Sequence, residues 1–151
     1  MDRVGKEVTI RRWKPEDADE ISGIYGLITN KNVHADFKKR VLDRSRETGN
    51  EAHFVAELDG KIVGFMISYI LPYGFGAEDC AYIATMGIHP KCMGEGIGAG
   101  MTRAIFDFYK AKGITRVYTS VRWDSTDLLS FFKTMGFDRS KYVNLKMDLN
   151  Q

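Results

Sequence analysis

Cysteine, proline and histidine are scarce in this chain of 151 residues, at two, three and three. Cys80 and Cys92 cannot make the framework of bridges that staples a small secreted domain, nor a zinc-ligand set. His34, His53 and His89 lack metal-ligand spacing, so no metal is expected. No apolar run nears the roughly 20 residues that a membrane helix needs. The opening MDRVGKEVTI is polar and charged, unlike a secretory leader. A cytoplasmic protein with no membrane partner is therefore expected. Charge of one sign is also missing. Twenty-two Lys and Arg against 20 Asp and Glu leave +2, and the two signs are interleaved. A nucleic-acid partner is usually announced by a clustered basic stripe, so none is expected. Repeats and low-complexity linkers are absent too, and one domain over 1–151 is the natural reading.

What is present suits a packed core, with 44% hydrophobic and 28% charged residues. Lys6 to Trp13 reads as a strand. Pro15 then opens a helix, with Glu16, Asp17 and Asp19 near its positive end and Ile21, Ile24, Tyr25 and Ile28 on one face. A second helix is predicted over Val33 to Glu47, with Phe37, Val41 and Leu42 inward. Asp59-Gly60 between two apolar runs, 52–58 and 61–71, is a hairpin signal. Cys80 to Ile88 is an apolar strand that suggests burial on both faces. Ile97 to Lys112 is a helix with Met101, Ile105 and Phe108 on one face, closed by Gly113. A strand over Thr115 to Val121, a helix over Ser125 to Met135 and a last strand over Tyr142 to Leu149 complete an order β-α-α-β-β-β-α-β-α-β. That order predicts an α/β fold, a mixed sheet with helices on both faces.

Four glycines, Gly94, Gly96, Gly98 and Gly100, fall on alternate positions where that strand meets that helix. Amides at a helix start have no intrahelical partner, and the helix dipole is positive there. Glycine lets the backbone approach a large anion, so strand, glycine turn and helix together form a phosphate cradle. A Walker loop is excluded, because no Gly-Lys-Ser/Thr follows. A dinucleotide fingerprint fits only loosely: Gly94 to Ala99 matches GxGxxA. Yet His89 to Met93 intervene after the strand, and 115–118 carry no acid about 20 residues on. A coenzyme A pyrophosphate site remains, beside a turn that merely connects two elements.

The stretch MGIHPKCMGEGIGAGMTRAIFDF resembles the acetyl-CoA motif of the GNAT superfamily of N-acetyltransferases. That motif is an apolar strand ending Val/Ile-x-Pro, then Gln/Arg-x-x-Gly-x-Gly/Ala at a helix start. SVRWDSTDLLSFFKTMGF resembles the same family's later strand and helix. The element order is also that family's, so the resemblance covers nearly the whole chain. It implies acetyl-CoA as cosubstrate. The pantetheine arm would pair with main-chain groups of Met86, Gly87 and Ile88. The pyrophosphate would rest on amides of Met93, Gly94, Glu95, Gly96, Ile97, Gly98 and Ala99. Met93 stands where the family has Gln or Arg, and Glu95 where it is often basic; neither removes a backbone donor. Lys91, Arg103 or Lys133 could offset the Glu95 charge. Many members pair as homodimers.

The implied chemistry is acyl transfer from a thioester to an amine, so an oxyanion must be stabilised and a neutral amine supplied. The resemblance assigns the oxyanion donor to the Ile88 amide. The family's strand glutamate aligns with Tyr82, a poor base, while Glu78 and Asp79 just upstream can act only through water. Its usual tyrosine acid falls on Phe132, second of the pair Phe131-Phe132, which has no proton to give. Its asparagine falls on Ser125, which can bond the pantetheine or cap the helix. At pH 7 a lysine of pKa about 10.4 is neutral roughly once in 2,500 molecules, and an α-amine near 7.8 about once in seven. A peptide N-terminus or a small-molecule amine is therefore the expected acceptor, held between Ile28 to His34 and Pro72 to Phe75, with Tyr69 and Tyr73 nearby. The alternative is a catalytically weak CoA-binding module that regulates a protein partner.

Overall fold

The computed structural model describes residues 7–29, 35–45, 51–76 and 78–150. Its elements are β1 (Val8–Arg12), α1 (Ala18–Thr29), α2 (Ala35–Ser45), β2 (His53–Leu58), β3 (Lys61–Leu71), β4 (Cys80–Ile88), α3 (Ile97–Ala111), β5 (Val117–Thr119) and α4 (Thr126–Thr134). The five strands lie in chain order in one sheet. β1 to β4 pair antiparallel, and β5 runs parallel to β4.

Local chemistry explains most of this. Asp59 and Gly60 have φ of 53° and 78°, the two left-handed residues that a tight β2–β3 hairpin needs. Strand alternation then sorts side chains between two cores. Val55, Phe65 and Ile67 face Ile21, Ile24 and Val41 of α1 and α2. Phe54, Ala56 and Met66 face Ile97, Met101 and Ile105 of α3 and Phe132 of α4. Helix α3 ends where expected: Gly113 is left-handed, and the Ile114 amide donates back to the Tyr109 carbonyl.

Four details differ from the sequence reading. The turn at Pro15–Asp17 is a 3-10 turn, and α1 begins only at Ala18. Asp17 is less a dipole partner than a clasp. Both its oxygens accept from Arg11 (2.9 Å each) and one from the Lys14 amide (2.8 Å), tying α1 to β1. Burial works to raise the Asp17 carboxyl, but those bonds outweigh it and hold it below its ordinary range. On α3 Tyr109 is fully buried as well, beside the face of Met101, Ile105 and Phe108 read from the sequence. Phe108 is half-buried, with the Arg12 guanidinium 4.9 Å from its ring centre.

The fourth difference concerns the order itself. No strand forms over Tyr142 to Leu149, so the described chain ends β-α rather than β-α-β. A strand exists only through a ladder, and this segment has none; both its faces are exposed. β5 is correspondingly short, three residues instead of seven, because only β4 holds it. Part of the predicted acceptor region, 30–34, lies outside the described residues.

Candidate acetyl-CoA site

β4 is a continuous nine-residue strand, but β5 pairs with it only at Ala81, Tyr82 and Ile83. Beyond Ile83 the two strands separate. Thr119 marks the parting point, its hydroxyl donating to the Ile83 carbonyl (2.9 Å). On the other side β4 stays paired with β3 as far as Ile88–Gly64. The His89 amide donates to the Val63 carbonyl (2.8 Å). Main-chain direction alternates along a strand, so Ile88 and Met86 turn their N–H and C=O groups away from β3, into the gap. Gly87 does not. Its carbonyl oxygen lies on the β3 side, 3.4 Å from where a Gly64 side chain would begin. Of the three main-chain positions expected to meet the pantetheine, the geometry therefore offers two. Gly87 serves packing instead: a Cβ there would sit 2.5 Å from Phe65 and 2.8 Å from Ile28 of α1.

After β4 the chain makes a 3-10 turn at Pro90–Cys92. His89 builds it, its Nδ1 accepting from the Lys91 amide (3.1 Å) and its carbonyl from the Cys92 amide (2.8 Å). The glycines then divide into two kinds. Gly94 and Gly96 have φ of 80° and 79°, which only glycine adopts cheaply, and a Cβ on either would meet only open space. Gly98 instead allows close approach. Its missing Cβ would lie 3.2 Å from both Ile88 and Phe131, so β4, α3 and α4 converge on this point.

Gly96 is the N-cap residue of α3 and supplies no side-chain cap. The first α3 amides, of Ile97, Gly98 and Ala99, therefore look for an acceptor outside the helix. Met93, Gly94, Glu95 and Gly96 are exposed beside them. A run of free amides at the positive end of a 15-residue helix suits an anion. The residues present thus fit a pyrophosphate at the bend and an extended amide-bearing arm along Met86 and Ile88.

Other predicted residues are dispersed. Glu78 and Asp79 are exposed at the far end of β4. At about 3.3 Å per residue they stand roughly 30 Å from Ile88. Tyr82 lies in the closed ladder opposite Tyr118, below the parting point. Ser125 holds the N-cap position of α4, yet its hydroxyl makes no capping bond. Phe132 is buried against Phe131 and Phe137. Tyr73 is exposed, and Tyr69 is half-buried against His53. Lys133 lines a separate cavity beside β5. Thr119 was missed, and a lone threonine in a short strand gives no warning. Among the described residues no group of His, Cys, Asp or Glu is placed to hold a metal, and no helix is long and apolar enough to cross a membrane.

The family model of the acetyltransferase (GNAT) family matches residues 17–137. The chain belongs to the GNAT family. Among curated relatives, this GNAT chain is 25% identical over 130 residues to a mycothiol acetyltransferase of Amycolatopsis mediterranei. That match takes in 84% of the chain but only 38% of the relative's length. It is 26% identical over 150 residues to an N-alpha-acetyltransferase of Sulfurisphaera tokodaii, covering 92% of the chain and 85% of the relative. Among solved structures, an aminoglycoside acetyltransferase from an uncultured soil metagenomic sample, in complex with sisomicin, superposes with a TM-score of 0.80. It shares 22% identity, over 95% of this chain and 97% of that one. An aminoglycoside N-acetyltransferase in complex with CoA superposes at 0.83 with 15% identity, over 99% of each chain. At such identities the superpositions speak for the fold.

Proposed function

We propose that this chain transfers an acetyl group from acetyl-CoA directly to a primary amine, either a peptide N-terminus or a small-molecule amine. The observation that carries this reading is the uncapped, left-handed start of α3 at Gly96, set at the mouth of the β4–β5 gap. In this reading amides from Met93 to Ala99 hold the pyrophosphate, and Met86 and Ile88 pair with the pantetheine. Phe131 and Ser125 flank it from α4. The Ile88 N–H faces the thioester carbonyl and stabilises the oxyanion.

Glu78 and Asp79 are too remote for direct proton transfer, and Tyr82 sits in the closed ladder. The acceptor therefore arrives neutral by its own equilibrium, which favours amines of low pKa. Related proteins named for N-alpha-acetylation and for aminoglycosides support an amine as acceptor. Two free, buried cysteines are in keeping with a reducing cytoplasm.

The test is a thiol-release assay with acetyl-CoA over a panel of amines. Peptide N-termini or amino sugars turn over faster than lysine side chains, with rates rising up to about pH 8 as the α-amine deprotonates. Faster lysine acetylation would overturn the acceptor assignment. Binding of acetyl-CoA without turnover of any amine would instead favour a regulatory module.

A further inference from the structure

Tyr69, Tyr82 and Tyr118 stand side by side on three neighbouring strands. Tyr69 pairs with Tyr82, and Tyr82 with Tyr118. Directly opposed residues put their side chains on one face of a sheet. That face is the one toward α1 and α2, because Tyr69 packs against their core. Ala81 and Val117, of the opposite parity, pack against α3. Strands lie about 4.8 Å apart, so the row is about 10 Å wide, enough for one further ring to lie against it. All three tyrosines are half-buried. The row is held at both flanks. His53 lies against Tyr69 with ring centres 5.6 Å apart, and Trp13 against His53 at 4.6 Å. Phe75 lies against Tyr118 at 4.3 Å, and the Phe75 carbonyl accepts from the Tyr142 hydroxyl (3.2 Å).

The row adjoins the gap. Tyr82 and Tyr118 come one residue before Ile83 and Thr119, where β4 and β5 part. The β3–β4 ladder slips at Ala84: Ile83 pairs with Ser68 and Thr85 with Ile67. Thr85 and Gly87 thereby share the face of Tyr82, since their partners Ile67 and Phe65 belong to the α1–α2 core. Ile28 of α1 closes over Gly87. On this face α1 covers the Ile88 end of the gap, and the tyrosines lie at its Ile83 end. The bend opens α3, which packs on the opposite face. A cosubstrate held at the bend therefore enters from the α3 side, and an acceptor meets it from the side of the tyrosines.

Resting on the acetyl transfer proposed above, we infer that Tyr69, Tyr82 and Tyr118 are a platform for the acceptor, and that this acceptor is a peptide N-terminus with an aromatic side chain a few residues in. Length favours a peptide. Tyr82 lies four residues from Met86 and six from Ile88, roughly 13–20 Å along the strand. An amine at the thioester has to span that distance to reach the rings, and a simple amine is too short. An extended peptide advances about 3.3 Å per residue, so its fourth to sixth side chain comes over the row. Chemistry favours an aromatic one. The side chains in ring contact with the row are His53, Phe75 and Tyr142. A polycationic amino sugar calls for carboxylates there. Glu51 faces His53 instead (3.8 Å), and Glu78 and Asp79 lie three and four residues back from Tyr82, in solvent. An aromatic side chain stacks on such a platform or meets it edge to face.

The experiment is acetylation of short peptides of alanine and serine in which one phenylalanine is moved stepwise from the second residue to the seventh, with kcat and KM measured separately. KM is expected to fall about 2- to 12-fold when the ring stands at the fourth to sixth residue, with kcat level. Tyr82→Ala flattens this dependence and Tyr82→Phe restores it, because the ring and not the hydroxyl makes the contact. A melting rise with acetyl-CoA shows that both variants are folded; if Tyr82→Ala is not, the wild-type series stands by itself. Turnover with the same KM at every position would overturn the platform and leave the acetyl transfer standing. A folded Tyr82→Ala chain that keeps the wild-type dependence would do the same, as would an amino sugar taken in preference to every peptide. Absence of turnover on any amine would overturn the acetyl transfer itself, and the platform with it.

Discussion

Replacing Gly96 by asparagine separates the cradle from the fold. The backbone there is left-handed, at φ 79° and ψ 9°. Asparagine tolerates that conformation far better than most residues. A Cβ at Gly96 meets no heavy atom within 4 Å, so the unliganded protein bears only the modest backbone strain of a side chain at this φ. The space it enters is the space assigned to the pyrophosphate. Loss of two amide bonds to a charged phosphate, at about 1.5–3 kcal/mol each, weakens binding by about 3–6 kcal/mol, at least ~100-fold. Thermal melting with acetyl-CoA reads the difference. At 100 times Kd the ligand adds about 2.7 kcal/mol to the wild type. At about 2–4 °C per kcal/mol for a chain of this size, that is a rise of about 5–11 °C. At the same concentration the variant stands no better than near its own Kd, gaining at most about 0.4 kcal/mol, or roughly 1–2 °C. Gly96→Asp weakens binding further, since two charges about 5 Å apart at an effective dielectric of 20 repel by about 3 kcal/mol. A Gly96→Asn protein with an unchanged unliganded melt and the full wild-type shift would refute the reasoning, because the α3 amides would then not be holding the ligand.

Two further outcomes follow from the interior. Tyr109 is fully buried, and its hydroxyl accepts from the Ala52 amide (3.0 Å) and bonds the Ser68 hydroxyl (2.8 Å). Tyr109→Phe strands the Ala52 N–H and costs about 1–3 kcal/mol, read as a lower urea midpoint at constant slope; an unchanged midpoint would refute it. The Asp17 carboxyl is held below its ordinary value, so its unfolded form protonates first as pH falls. Its contribution is complete above about pH 4 and drains away below, as pH falls toward the folded value. Denaturant titrations should therefore show Asp17→Asn less stable than wild type at neutral pH, with the gap closing in acid; a gap that widens in acid would contradict the clasp.

Features carried by a few adjacent residues were legible in the sequence. Asp59-Gly60, Gly113 and the 94–98 bend each demand a backbone geometry that few residue types supply. The uncapped amides at the start of α3 were readable too, since they follow from Gly96 alone. Features that depend on a distant partner were not. The 142–149 run has a strand's alternation, yet alternation cannot create a neighbour. The full burial of Tyr109 goes with a hydroxyl partner at Ser68, 41 residues away in sequence. The remoteness of Glu78 and Asp79 was visible in principle, because Asp79 and Ile88 are nine residues apart along extended chain, roughly 30 Å.

Thr119 gives the separation of β4 and β5 a fixed depth. Its hydroxyl on the Ile83 carbonyl works like the stop at the foot of a zipper, and from there to the bend only Ala84 to Ile88 are open. The opening is thereby a gauge of length, five residues deep. An extended arm entering from the bend meets that stop five residues in, so the fold itself sets how much of such an arm the gap can take.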